Sequence, residues 1–350
     1  MRILHLVNRI SESGTGMTNV AVDLACEQRR LGHDVYVGSA GGDYEQLLAQ
    51  HGVPNLLLDF TRRTPIRVVR LYFSLRRIVR HLQPDVIHVH TLTPAVLAQS
   101  LIDGPPVVAT VHNEFQRGVW LMRYADAVVG VSQAVTLAMQ SRNTGAGKAF
   151  TVLNGTVGSL RRVAVEQLPQ VGLSRPAIVT VGAISERKGA DVLLEAFGRV
   201  VEHVPSAHLY YVGNRDWPAF EELLESKPWA DRVHLVGFKS QPQAYLREAA
   251  VFVLPSRRDP FALVLLEALE AGCAIVGSDV DGIPEALAHG RAGLLAAVND
   301  PKDLADKILQ VLMDEELAQR LRAMARERSS SFTVNRMSQN YLTLYRSLVC

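Results

Sequence analysis

Short apolar runs alternate with longer stretches of helical period along almost the whole chain. The runs at 3–7, 35–38, 86–89, 107–111 and 127–131 are too short and too evenly apolar for amphipathic helices. They predict strands buried on both faces. Between them, 18–31, 65–82 and 132–141 repeat apolar positions every three or four residues and predict helices. The rhythm then starts again. Strands are expected at 177–181, 207–212, 233–236, 251–254 and 274–276, with helices at 189–203, 218–224, 243–248 and 263–271. Beyond 303, Leu304, Ile308, Val311 and Leu312, then Met337, Tyr341 and Leu344, keep helical spacing.

This alternation implies parallel sheets covered on both faces and joined by right-handed crossovers. Two such series in 350 residues imply an α/β protein of two doubly wound domains. The rhythm breaks at 155–175, a segment with Gly, Pro, Arg and Ser, which is the expected joint. The domains are then 1–165 and 166–333, with a helix at about 334–350 free to pack back on the first. Doubly wound sheets bind ligands beyond the carboxyl ends of their strands, so two facing sheets predict an active site in the cleft between them.

The chemistry concentrates in LPSRRDPFALVLLEALEAGCAIVGSDVDGIPE, residues 254–285. Asp259 is expected in the loop after a strand and Glu267 about one turn into the next helix. The N–H groups of Phe261, Ala262 and Leu263 fall at that helix's N-terminus, where unpaired donors and the helix dipole favour an anion. The set suits a sugar diphosphate: amides for phosphate, one carboxylate for sugar hydroxyls, the other for ribose hydroxyls. The plainer reading makes Asp259 a helix cap and Glu267 a solvated charge.

The whole segment resembles the signature of the family 4 retaining glycosyltransferases, whose fold is called GT-B: two Rossmann-like domains facing across a cleft. Their pattern of acid, seven residues, Glu, is carried here by Asp259 and Glu267. Pro255, Ser256, Phe261, Leu263, Val264, Leu266 and Ala268 match its frame, followed by Gly272, Asp279, Gly282, Ile283, Pro284 and Glu285. The chain departs from it with Asp259 in place of Glu and Ala262 in place of Gly. The resemblance extends to VGAISERKGADVLLEAF at 181–197, where the family has an Arg and a Lys on the donor diphosphate. Lys188 matches the Lys, Ala183 occupies the Arg position, and neighbouring Arg187 is the candidate replacement.

In the first domain, Ser13-Gly14-Thr15-Gly16-Met17-Thr18 follows the first strand, and glycines there allow close backbone approach to a ligand. Gly16 matches the second of two family glycines that near the phosphates and acceptor; Thr15 replaces the first. The resemblance makes His112, at a strand's carboxyl end, the histidine that contacts the donor sugar or its leaving group. ADAVVGVS at 125–132 and Asn154-Gly155 also match, although the family's following Asp is absent (Thr156, Val157). A zinc site at His88 and His90 is the alternative use of the His-x-His spacing. No nearby Cys or second cluster completes it, and both histidines read as structural.

Composition narrows the partners. A formal net charge of +2 argues against wholesale nucleic-acid binding. Residues 1–165 hold 17 Lys/Arg against 11 Asp/Glu, leaving the remainder slightly acidic. Much of that excess lies on 65–82, where Arg67, Arg70, Ser74, Arg77 and His81 share one face. Val68, Leu71, Leu75, Ile78 and Leu82 share the other. Beyond simple core packing, this helix suggests docking on anionic lipid. Three scattered cysteines (Cys26, Cys273, Cys350) and no long apolar run suggest a reducing, cytoplasmic setting, on or off the inner membrane face.

The resemblance therefore implies a retaining, metal-independent hexosyltransferase without cofactor. It would use a GDP- or UDP-linked sugar and a sugar or lipid-linked acceptor, in bacterial polysaccharide or glycolipid synthesis. Base selection is expected near 237–239. Two rivals stand beside it: a GT-B sugar-nucleotide epimerase, and a non-catalytic sugar-nucleotide binder suggested by Ala183, Asp259 and Thr156.

Overall fold

The computed structural model describes residues 1–12, 16–61, 64–144 and 147–349. Ser13, Gly14 and Thr15 of the expected glycine loop, and Cys350, lie outside the described residues. The chain divides into two units, Met1–Arg161 with Thr333–Cys350, and Arg162–Phe332.

The first unit holds β1 (Arg2–Leu6), β2 (Asp34–Ser39), β3 (Asn55–Leu57), β4 (Val86–Val89), β5 (Val107–Val111), β6 (Ala127–Gly130) and β7 (Ala149–Thr151). Their order is β3-β2-β1-β4-β5-β6-β7, with every pairing parallel. The second holds β8 (Ala177–Val181), β9 (His208–Val212), β10 (Val233–Leu235), β11 (Val251–Leu254), β12 (Ile275–Ser278) and β13 (Leu294–Ala296). These lie in the order β10-β9-β8-β11-β12-β13, again all parallel. Strand order reverses once in each sheet, between β1 and β4 and between β8 and β11. At such a point successive loops leave on opposite sides and open a crevice at the strands' carboxyl ends.

The expected strands are present, their ends displaced by at most two residues. Strands β3, β7 and β13 were not expected from the pattern. Each has three residues and each is a sheet edge, where one side lacks a neighbour and the apolar demand relaxes. Leu57 of β3 is 78% exposed. By contrast β4, β5, β6, β11 and β12 are buried at every position. The helical tail resolves into Pro301–Met313, Glu315–Ser329 and Val334–Val349, the first two capped by the carboxylates of Asp300 and Asp314.

The units part between two consecutive arginines, four residues before the expected 165. Arg161 donates to both carboxylate oxygens of Asp23, at 2.9 and 2.7 Å, and Ser159 donates to the same carboxylate at 2.6 Å. This pair is almost fully buried in the first unit. Arg162 instead donates to Glu270 of the second unit at 2.7 Å. The last helix belongs to the first unit: Asn335 donates to Glu27, and Tyr341 bonds Thr110 at 2.8 Å.

Candidate active site

In the second unit, Lys188 and Asp259 follow the two strands that flank the switch point. Lys188 ends a short 3-10 turn after β8, and Gly189 beside it has φ 67°. A Cβ at Gly189 would stand 2.0 Å from the Pro255 carbonyl oxygen, so only glycine lets this turn reach the loop after β11. The loops are stitched further: Arg257 N donates to Arg187 O at 2.9 Å, and the Arg257 guanidinium grips Asp191 at 2.7 and 2.8 Å. Across this seam Lys188 Nζ donates to Asp259 Oδ2 at 2.5 Å, with side chains only 19% and 6% exposed.

Asp259 is therefore not the cap of the following helix. That helix, Leu263–Glu270, starts from Ala262 without a side-chain cap, and Phe261 and Ala262 are buried beside it. Asp281 fixes the loop by accepting the Asp259 N–H at 2.8 Å while pairing with Arg258. Glu267, buried on the first turns of the helix, lies 3.9 Å from Arg162. Leu263 is half-buried at the helix start. Arg187 is exposed, and its guanidinium donates to the Arg258 carbonyl at 3.0 Å. Gly182, Ala183, Ile184, Lys188, Tyr211 and Pro255 line a recess beside the ion pair. Ala183 thus sits where a longer cationic side chain would reach into that recess. Sequence reading missed Arg162 and Asp281. Each acts on a residue more than twenty positions away, and no local spacing announces that.

In the first unit, β1, β4 and β5 lie side by side, and their register sets His5 beside His88. His112 follows β5 and is half-buried; its Nε2 stands 3.2 Å from His90 Nδ1. His90 Nε2 stands 3.1 Å from His5 Nδ1, and His5 Nε2 2.8 Å from Gln28 Oε1. His88 bonds Thr110 at 2.7 Å and the Tyr345 hydroxyl at 2.6 Å. Burial pushes His5 down to about 4 and His112 to about 3, and holds His88 and His90 well below their ordinary value. Ligand atoms of His5, His88 and His90 come within 4.8 Å of one another. Every ring nitrogen of these three is already hydrogen-bonded, so a metal would have to break that network. Gly16 is exposed and opens the helix Gly16–Arg30.

The basic helix spans Pro65–Leu82 and buries Leu71 and Leu75. Its outer side carries more than charge. Ile66, Val69 and Phe73 are 68%, 55% and 58% exposed, beside exposed Arg67, Arg70, Arg77 and Arg80. Among the described residues, no helix is long and apolar enough to cross a membrane.

Residues 167–328 match the sequence model of glycosyl transferases group 1, and residues 14–156 that of glycosyltransferase family 4. The chain is 28% identical to N-acetyl-alpha-D-glucosaminyl L-malate synthase of Bacillus anthracis, over 75% of this chain and 74% of that one. It is 26% identical to phosphatidyl-myo-inositol mannosyltransferase of Mycolicibacterium smegmatis, over 95% and 90% of the two chains. Anabaena HepE in complex with UDP has the same fold, with TM-score 0.83 and 21% identity over 99% of this chain and 100% of that one.

The imidazole row makes stability depend on pH. The folded pKa values lie below the ordinary histidine value, so below about 6.5 the unfolded chain binds more protons than the folded one. Stability is then lost as pH falls from about 6.5 towards 4. Thermal unfolding followed from pH 8 to pH 4.5 is expected to stay level at first and drop below about 6.5, less steeply in His5→Gln. Equal slopes in the two proteins would mean that His5 is not held neutral.

Proposed function

Because the chain belongs to the family 4 glycosyltransferases of GT-B fold, we propose that it transfers a hexose from a GDP- or UDP-linked sugar to a sugar or lipid-linked acceptor. The transfer retains anomeric configuration and uses no bound metal. The observation that carries this reading is the Lys188–Asp259 pair at the β8/β11 switch point, next to an uncapped helix N-terminus. UDP bound to Anabaena HepE and the phosphatidyl-myo-inositol named as the mannosyltransferase's substrate support the donor and acceptor classes.

An incoming diphosphate offers Lys188 a stronger anionic partner than Asp259. The ammonium turns to the phosphates, and the Asp259 carboxylate is released to accept sugar hydroxyls. The amides at Phe261, Ala262 and Leu263 add donors with the helix dipole behind them. Glu267, steadied by Arg162, receives the ribose hydroxyls. Gly16, exposed at the start of its helix, is the first unit's candidate for close backbone approach to a ligand, and Arg187 lends positive charge from the loop edge. The bond between the anomeric carbon and the phosphate oxygen breaks, and the acceptor oxygen bonds that carbon on the same face. The acceptor's proton passes to the departing phosphate. The electrostatic task is to stabilise the charge of the leaving diphosphate, which the Lys188 ammonium and the amides meet without a metal ion. His112 touches the sugar at the reacting face.

The exposed Ile66, Val69 and Phe73 set among arginines support a peripheral site on anionic membrane, the source of a lipid-linked acceptor. A cytoplasmic setting and a role in polysaccharide or glycolipid synthesis accord with that placement.

Two experiments test these proposals. Calorimetry and thermal shift against UDP, GDP, ADP and their sugar conjugates should find one nucleoside diphosphate that binds equally with and without chelator. Glu267→Ala should weaken it at least about tenfold, the loss expected for one charged hydrogen-bonding partner. Loss of binding on chelation would overturn the metal-free route, binding without any donor turnover would favour the non-catalytic binder, and no binding at all would overturn the donor site itself. In sedimentation with phosphatidylglycerol vesicles, the protein should pellet at low salt and Phe73→Ser should pellet far less. Equal recovery in the supernatant with and without vesicles sinks the membrane proposal.

A further inference from the structure

The imidazole row ends on His112, and nothing in the proposed transfer uses the rest of it. Each ring is held neutral, so each carries one N–H and one lone pair. In such a chain the direction of one hydrogen bond sets all the others. Gln28, on the helix Gly16–Arg30, supplies that direction. Its carbonyl oxygen lies 2.8 Å from His5 Nε2 and can only accept, so His5 carries its proton there. His5 Nδ1 must then accept from His90 Nε2–H, and His90 Nδ1 from His112 Nε2–H. The Gln28 amide nitrogen is buried without a hydrogen-bond partner among the described residues, and the Tyr345 hydroxyl pairs separately with His88 Nδ1 at 2.6 Å.

His112 Nδ1 is the free end, with no partner among the described residues. We propose that Gln28, His5 and His90 form a positioning relay that fixes His112 as the Nε2–H tautomer, so that Nδ1 presents a lone pair to a hydroxyl of the donor sugar. The proposal rests on the reading of His112 as a donor-sugar contact. It adds which of its nitrogens acts and three residues that decide it. A neutral imidazole in an unassigned tautomer would offer a sugar hydroxyl either a donor or an acceptor; the relay leaves only the acceptor.

The opposite amide orientation at Gln28 would reverse every bond in the row and make His112 Nδ1 a donor, so the two are distinguishable in the free protein. The test is long-range 1H–15N correlation on protein labelled with 15N-histidine, with His112 assigned by the signals lost in His112→Gln. The expected result is His112 protonated at Nε2 in the wild type and in Gln28→Glu, whose carboxylate can only accept. In Gln28→Leu and His5→Phe the expected result is a mixture of both tautomers. Donor turnover should follow: near wild type in Gln28→Glu, and lower by roughly tenfold or more in kcat in His5→Phe, with nucleoside diphosphate affinity unchanged. Protonation of His112 at Nδ1 in the wild type overturns the proposal. So does a single unchanged tautomer in both Gln28→Leu and His5→Phe. The tautomer is read without donor, so a failure of the donor reading would show in binding and turnover and leave this measurement standing.

Discussion

An ammonium and a carboxylate seventy-one residues apart meet at 2.5 Å because β8 and β11 are neighbours that send their chains to opposite sides of the sheet. The second unit's site hangs on that contact. It requires the turn after β8 to touch the loop after β11, which requires Gly189: a side chain there would collide with the Pro255 carbonyl. Once the loops touch, Arg257 ties them through Asp191, and Asp281 holds the Asp259 backbone. These ties hold the two loop backbones in place, so that only the Lys188 and Asp259 side chains have to change partner.

The first unit repeats the topology and fills it with different chemistry. Its adjacent strands bring together neutral, mutually hydrogen-bonded imidazoles instead of an ion pair. Burial does this, since three of the four rings are almost wholly removed from water and protonation there would cost desolvation with no carboxylate in the row to offset it.

Much of this was legible in the sequence. Central parallel strands must be apolar on both faces, so β4, β5 and β11 announced themselves by composition. Edge strands such as β3 and β13 have no such requirement and left no signal. Lys188, Asp259 and Glu267 were marked by motif, but their partners were not: Arg162 reaches Glu267 from the start of the unit, and Asp281 reaches Asp259 across a helix and a strand. Helical spacing found the buried stripe of 65–82 and missed Ile66, Val69 and Phe73. Their exposure is a fact about what fails to pack on them, which no periodicity encodes. Nothing local marks His5, because the register that pairs it with His88 belongs to the sheet.

The most direct test of the Lys188–Asp259 site compares two ligands in two variants by calorimetry: the nucleoside diphosphate that binds, and its sugar conjugate. If Lys188 holds the diphosphate and Asp259 the sugar, Lys188→Met weakens both ligands alike, whereas Asp259→Asn weakens only the conjugate. Unchanged affinity for both ligands in Lys188→Met would contradict the assignment, and so would an equal loss for both in Asp259→Asn.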